Sequence, residues 1–246
     1  MTDWDHEVDV VVLGSGGAGL TAALTAAVHG ASVEVYEKSA TVGGTTAVSG
    51  GIVWIPAHKR SSTGELTPED ATAYLRAQSL GYMDDELVET FVHTGADMLD
   101  FVEAHSDLRF EVAQGFPDYK PELPGGQPGG GRSLNTKPFN LAELGEWRDR
   151  ITTFPADFSN VGIDAETRAR IHAAVDDESG DYCVAGTSLI AGLLKALLDA
   201  GADANTTLPE GETVLMAAAR SGNVDVLRLL LARGADVGAT EGWRGQ

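Results

Sequence analysis

An α/β fold is predicted by three features of residues 8–51, VDVVVLGSGGAGLTAALTAAVHGASVEVYEKSATVGGTTAVSGG. The β-branched run Val8-Asp9-Val10-Val11-Val12-Leu13 suits a buried parallel strand. Gly14-Ser15-Gly16-Gly17-Ala18-Gly19 follows and opens an alanine-rich helix. A second strand, Ser32 to Tyr36, ends on Glu37. Strand, Gly-x-Gly-x-x-Gly turn, helix, strand and carboxylate stand in the order that a dinucleotide fold requires.

Each residue type in the turn has a physical task. Gly14 lets the chain turn sharply, and Gly16 removes a Cβ so that backbone can approach a pyrophosphate. Gly19 allows the helix to pack closely on the strand. The helix N-terminus offers unpaired N–H groups and a partial positive charge to phosphates. Glu37 can accept hydrogen bonds from both ribose hydroxyls, and its charge repels a 2′-phosphate. FAD or NAD therefore fits better than NADP.

Two further loops come next, Gly43-Gly44-Thr45-Thr46 and Ser49-Gly50-Gly51-Ile52-Val53-Trp54-Ile55-Pro56. A plain NAD domain has no need of a second glycine-rich loop so soon after the ribose-binding acid. The phrase GGTTAVSGGIVWIP resembles the FAD-binding flavoproteins of the fumarate reductase and 3-ketosteroid Δ1-dehydrogenase superfamily, and the 3-ketosteroid dehydrogenase branch most. The resemblance implies FAD as cofactor and a Rossmann-like FAD-binding domain with helical insertions. It puts Gly14, Ser15, Gly16, Gly17, Ala18 and Gly19 on the pyrophosphate, and Glu37 and Lys38 near the adenosine. Gly43, Gly44, Thr45 and Thr46, then Ser49, Gly50 and Gly51, would run along the phosphates toward the flavin ring.

Composition bounds the partners. In 246 residues the formal net charge is −20, which argues against nucleic acid or anionic membrane. Hydrophobic content of 43% and charged content of 22% read as soluble and globular. The single cysteine, Cys183, allows no internal disulfide and fits a reducing compartment, so a cytoplasmic protein is expected. Cys183 itself reads as a small packed core residue. The acidic N-terminus lacks the positive flank of a signal peptide. The glycine-interrupted run Val8 to Val28 is accounted for by the dinucleotide reading, so no membrane span is expected. The six histidines show no metal-site spacing.

Along the chain, Ala57 to Leu66 turns polar and basic (His58, Lys59, Arg60) and reads as a surface loop. Thr67-Pro68-Glu69-Asp70 is a helix start, with Tyr74, Leu75 and Leu80 in its buried stripe. A second helix is expected from Asp85 to His105, its core face built from Leu87, Phe91, Met98, Leu99, Phe101 and Val102. Leu108 to Val112 alternates like a strand. Gly115 to Pro138 carries five of the nine prolines and reads as one long irregular loop, with Arg132 solvated. Short helices are expected at Leu141–Trp147 and Asp164–Ala174, and a strand at 150–154.

The loop segment DYKPELPGGQPGGGRSL resembles the 3-ketosteroid dehydrogenase segment that contributes an active-site tyrosine, which would be Tyr119. Removing two hydrogens beside a ketone needs a base for one proton and flavin N5 for the hydride. A phenol whose pKa is lowered by a neighbouring donor can serve or support that base.

Gly186 to Ala200 reads as an apolar leucine-rich helix. Beyond it, LLDAGADA from Leu197 and LLARGADV from Leu230 are near-copies spaced by 33 residues, the ankyrin period. GETVLMAAARSGNVDVLRLLLARGAD resembles one ankyrin repeat, with part of a repeat on either side. The expected division is residues 1–198 as the incomplete N-terminal portion of an FAD-binding flavoprotein and residues 199–246 as a short all-α ankyrin-like tail. A lone repeat cannot bury its apolar faces, and about three are normally needed.

The resemblance implies an FAD-binding oxidoreductase, 3-ketosteroid Δ1-dehydrogenase-like, acting on a small-molecule substrate of the steroid-like ketone class. It covers roughly Asp9 to Leu198. The later sheet strands, the glycine-rich segment that closes over the flavin and the further tyrosines of such enzymes are not recognisable. Two rival readings stand beside it: an ankyrin-type module that binds a protein partner on a flavoprotein relic, and an inactive fusion fragment.

Overall fold

The computed structural model describes residues 7–60, 64, 66–153 and 182–201. The expected helix at 164–174 and the ankyrin-like repeat lie outside the described residues.

Strands β1 (Val10–Leu13) and β2 (Val33–Tyr36) pair parallel, Val10 opposite Val33 and Leu13 opposite Tyr36. Helix α1 (Gly17–Val28) makes the crossover between them. The βα approach is as close as the sequence required. A Cβ on Gly19 would stand 2.0 Å from the Gly14 carbonyl oxygen and 3.3 Å from Val12 Cγ1. The expectation of a buried β1 holds on one face only. Val12 is buried toward α1, whereas Val11 and Leu13 are 54% and 82% exposed. A parallel strand is buried when layers cover both faces. Among the described residues this sheet has two strands, and the face carrying Val11 and Leu13 is open.

A second sheet is antiparallel and three-stranded, in the order β3 (Val53–Trp54), β5 (Ser133–Thr136), β4 (Phe110–Val112). Its central strand corrects the sequence reading of Gly115–Pro138 as one loop. The loop ends at Arg132, and Ser-Leu-Asn-Thr pairs on both sides, Leu134 facing Val53 and Val112. Polar residues can form this strand because its neighbours satisfy its backbone and Leu134 is wholly buried. A short pair, β6 (Phe139–Asn140) with β7 (Tyr182–Cys183), brings buried Cys183 into the core, where burial pushes its thiol up to about 12. Between these strands Leu141–Arg150 forms a 3-10 helix kinked at Gly145. Ile151 then bridges Val42 in parallel, the described part of the expected strand at 150–154.

Helix α3 (Pro68–Ser79) starts where its cap predicts, with the Thr67 hydroxyl accepting the Asp70 N–H at 3.1 Å. Tyr74 is buried, but Leu80 is 79% exposed: it takes the left-handed helix-ending position, with φ 52°, which turns its side chain off the stripe. In α4 (Asp85–Ala104) the buried face is Val88, Val92, Gly95, Leu99 and Val102. The predicted face was one position off at its start, and Leu87 and Phe91 are 66% and 41% exposed. Gly95 decides the phase, since a Cβ there would meet Ile55 Cγ2 at 3.2 Å and Pro56 Cδ at 3.4 Å.

The basic loop is not simply solvated. His58 is buried, and burial together with the Arg60 and Arg132 charges holds its imidazole below the usual value. The Arg60 guanidinium is drawn to α4, reaching Glu103 at 2.6 Å and Asp100 at 2.8 Å. Helix α5 (Ala185–Asp199) is the most enclosed element, with Ile190, Leu193, Leu194 and Leu197 at 1% exposure or less. It packs on α1 and on α2 (Gly44–Ala47), a single turn.

Truncating Leu99, wholly buried, to alanine is expected to cost about 2–5 kcal/mol. Leu87→Ala on the exposed side is expected to change stability by less than about 0.5 kcal/mol. Denaturant midpoints of the two variants check the phase of α4; equal losses would contradict it.

Candidate functional site

The two glycine-rich loops meet at the Ser15 and Thr46 hydroxyls. Ser15, buried, donates from both its N–H (3.0 Å) and its hydroxyl to Glu37 Oε2. The same hydroxyl accepts the Gly43 N–H at 3.0 Å. Glu37 Oε1 takes the Ser39 N–H at 2.9 Å. The acid at the end of β2, the first loop and the second loop are thereby one hydrogen-bonded unit. Burial pushes the Glu37 carboxyl up, but the hydrogen bonds from Ser15 and Ser39 outweigh it and hold it below the ordinary value.

The fit of FAD to this unit rests on space and donors. Gly14 takes φ 98°, a conformation open to glycine. A Cβ on Gly16 would come within 3.5 Å of Thr46 Oγ1 and 4.0 Å of the Gly43 carbonyl oxygen, so glycine leaves open the gap between the loops. The intrahelical ladder of α1 begins with Leu20 N–H to Gly16 C=O at 2.9 Å. Of the N–H groups ahead of it, Gly17 donates to Thr46 Oγ1 at 3.1 Å, which leaves Ala18 and Gly19 for an anion. Glu37 uses three of about four carboxylate acceptor sites on protein donors, so it retains capacity for a ribose hydroxyl. Lys38, Gly44, Thr45 and Gly50 are exposed, and Thr46 and Ser49 half-buried. The residues present fit the group.

Sequence reasoning missed what holds the second loop. Ala185 takes φ 58°, and a Cβ on Gly186 would stand 1.8 Å from the Thr46 carbonyl oxygen. Gly186 N–H donates to Ser49 C=O at 3.0 Å, and the Thr187 hydroxyl to Ala47 C=O at 3.1 Å. A Cβ on Gly51 would meet the Ala185 carbonyl carbon at 2.3 Å. The small-residue run Ala185-Gly186-Thr187-Ser188 was the available signal.

Past Gly51 the chain enters the wall of a largely apolar cavity of about 350 Å³, bounded by Ile52, Trp54, Tyr74, Met83, Phe116 and Tyr119. Tyr119 is 86% exposed at this wall. Among the described residues no donor reaches its hydroxyl, so the neighbour expected to tune the phenol is not found there. Arg132, expected in solvent, is wholly buried. Its charge is met by Asp118 at 2.7 Å, and its guanidinium carbon stands 5.6 Å and 5.5 Å from the Trp54 and Tyr74 ring centres. Among the described residues no group of three or more His, Cys, Asp or Glu could hold a metal, and no helix is long and apolar enough to cross a membrane.

Because the Glu37 carboxyl lies lower folded than unfolded, its stabilisation is complete above the unfolded value of about 4.3. It is lost as pH falls through the folded value. Glu37→Gln is expected to flatten the acid limb of Tm against pH below about 5; an unchanged slope would contradict this.

Comparison with known proteins extends these observations. A 3-oxosteroid 1-dehydrogenase of Mycobacterium tuberculosis is 46% identical over 143 residues, 57% of this chain and 25% of that protein. A 4-oxocyclohexanecarboxylate 2-dehydrogenase of Sinomonas cyclohexanicum is 45% identical over 146 residues, 58% of this chain and 25% of that protein. The chain thus spans about a quarter of the length of these relatives. The crystal structure of 3-ketosteroid Δ1-dehydrogenase from Sterolibacterium denitrificans, in complex with 1,4-androstadiene-3,17-dione, superposes with a TM-score of 0.71 at 27% identity. That match covers 79% of this chain and 39% of that one. An ankyrin repeat model matches residues 210–241. The FAD binding domain model matches residues 9–213, and the chain belongs to that family, the one shared by fumarate reductases and 3-ketosteroid dehydrogenases.

Proposed function

We propose that this chain forms the cofactor-binding part of an FAD-dependent dehydrogenase that acts next to the carbonyl of a steroid-like ketone. The observation that carries the reading is the Ser15 bridge, which joins Glu37 and the second glycine loop beside the start of α1. In this reading Gly14 to Gly19 hold the pyrophosphate through the N–H groups of α1, and Glu37 with Lys38 holds the adenosine side. Gly43 to Thr46 and Ser49 to Gly51 lie along the phosphates. FAD, when bound, supplies a hydride acceptor at its N5.

Tyr119 stands at the cavity wall with an exposed phenol that can hold the substrate carbonyl or assist removal of the neighbouring proton. The apolar walls from Ile52, Trp54 and Phe116 suit a hydrocarbon skeleton and exclude water from it. The names of the curated relatives, 3-oxosteroid and 4-oxocyclohexanecarboxylate dehydrogenases, support a cyclic ketone.

We assign residues 1–198 to the Rossmann-like flavoprotein part and 199–246 to the ankyrin-like part, with a protein partner as the function of the latter. The ankyrin match supports this, while the FAD-domain match runs past the boundary and overlaps it at residues 210–213.

Adding FAD to the purified chain is expected to give the shifted visible spectrum of bound flavin. Gly16→Ala fills the gap between the loops without a clash, so it is expected to keep the Tm and weaken FAD binding by roughly tenfold or more. No bound flavin in the parent chain would overturn the reading. Tyr119→Phe is expected to leave FAD affinity unchanged and to lower dye-coupled ketosteroid dehydrogenation by about 10²-fold or more. An undiminished rate would remove Tyr119 from the chemistry.

A further inference from the structure

Tyr119 is exposed, but the residues on either side of it are fastened. Asp118 is 3% exposed and its carboxylate is held by three donors: Oδ1 accepts Trp54 Nε1–H at 2.7 Å, and Oδ2 accepts Arg132 Nη1–H at 2.7 Å and the Gln127 N–H at 2.9 Å. On the other side the Lys120 N–H donates to the Tyr74 hydroxyl at 3.3 Å. Arg132 is itself fixed by its Nε–H to the Pro56 carbonyl at 3.0 Å and by the Trp54 and Tyr74 rings. Both ties therefore run to Trp54 and Tyr74, which bound the same cavity as Tyr119.

Stability alone is a poor reason for this arrangement. A buried ion pair gains little over apolar side chains of similar volume, and here Arg132 Nη2 remains buried without a partner. What a carboxylate held by an indole N–H, a guanidinium and a backbone N–H provides is geometry, because the three donors together fix its position. We propose that Asp118 is a positioning residue for Tyr119, and that the Trp54–Asp118–Arg132 cluster fixes where the phenol stands against a ligand in the cavity. This rests on reading the cavity as the ketone pocket.

The test is a double-mutant cycle on binding of 1,4-androstadiene-3,17-dione to the full FAD-loaded chain, together with the NMR signal of the Tyr119 ring in ¹³C-tyrosine-labelled protein. Tyr119→Phe assigns that signal. Asp118→Asn keeps the shape and removes the charge. Trp54→Phe removes one donor and keeps a ring in the wall, so it carries the test should Asp118→Asn not fold. Each is expected to weaken steroid binding by roughly tenfold when Tyr119 is present and by less than about twofold in the Tyr119→Phe background. Each is also expected to shift or broaden the Tyr119 signal without ligand. Equal losses in both backgrounds, or an unmoved Tyr119 signal, would overturn the positioning role. A parent chain that holds FAD but does not bind the steroid would overturn the ketone-pocket reading alone, and the ligand-free signal would still decide the role of Asp118.

Discussion

Peptide groups that approach one another more closely than side chains allow set the geometry on which the cofactor region depends. At Gly19 a Cβ would fall 2.0 Å from one carbonyl oxygen, and at Gly186 1.8 Å from another. The first contact lays α1 against the end of β1, and the second lays the start of α5 against the second glycine loop. Between these two helices the loop has no freedom to drift from the first. Only then can the short reach of one serine hydroxyl tie both loops to Glu37. Anion binding by backbone N–H groups requires this order, because N–H dipoles act only where their direction is fixed.

The cavity end adds a second kind of interaction. There the loop between β4 and β5 has close backbone approaches of its own, a Cβ on Gly125 falling 2.0 Å from the Asp70 carbonyl oxygen, and a buried charge pair is added to them. Trp54 and Tyr74 rings lie against the Arg132 guanidinium and N–H donors reach Asp118, while Arg132 Nη2 stays buried without a partner. The cofactor end thus depends on close glycine approaches joined by one serine, and the cavity end adds a buried aspartate–arginine pair to approaches of the same kind.

The contrast explains what the sequence made legible. The βαβ unit could be read because its signals are local: a β-branched run, glycines at fixed spacing and an acid at a strand end all lie within 30 residues. The Thr67 cap and the start of α3 were readable for the same reason. Arg132 was misread because its partner lies 14 residues away across a proline-rich loop, and nothing local marks an arginine as buried. Strand β5 was hidden because Ser-Leu-Asn-Thr has one apolar residue, and the pairing that makes it a strand comes from β3 and β4. The face of α4 was misplaced by exposed Leu87 and Phe91, while Gly95, which a hydrophobicity count ignores, sets the true phase. Helix α5 was visible as a leucine run, and the small residues that open it signal a close approach without saying that its partner is Ser49.

Residues 46–54 connect the two ends. Thr46 touches the first turn of α1, Gly51 abuts α5, and Ile52 and Trp54 are already in the cavity wall. From Gly51 to Trp54 is three residues, about 10 Å of extended chain. In the proposed function, the loop that runs toward the flavin ring and the wall that faces the ketone are therefore one short strand entry, and cannot be displaced separately by much. Hydride transfer needs donor carbon and acceptor atom in contact, with losses of 10²-fold for misplacement near 1 Å. A tether this short places that tolerance in covalent geometry. The Asp118 cluster then fastens Tyr119 to Trp54, the residue at the far end of the same tether, so cofactor loop, cavity wall and phenol share one frame of reference.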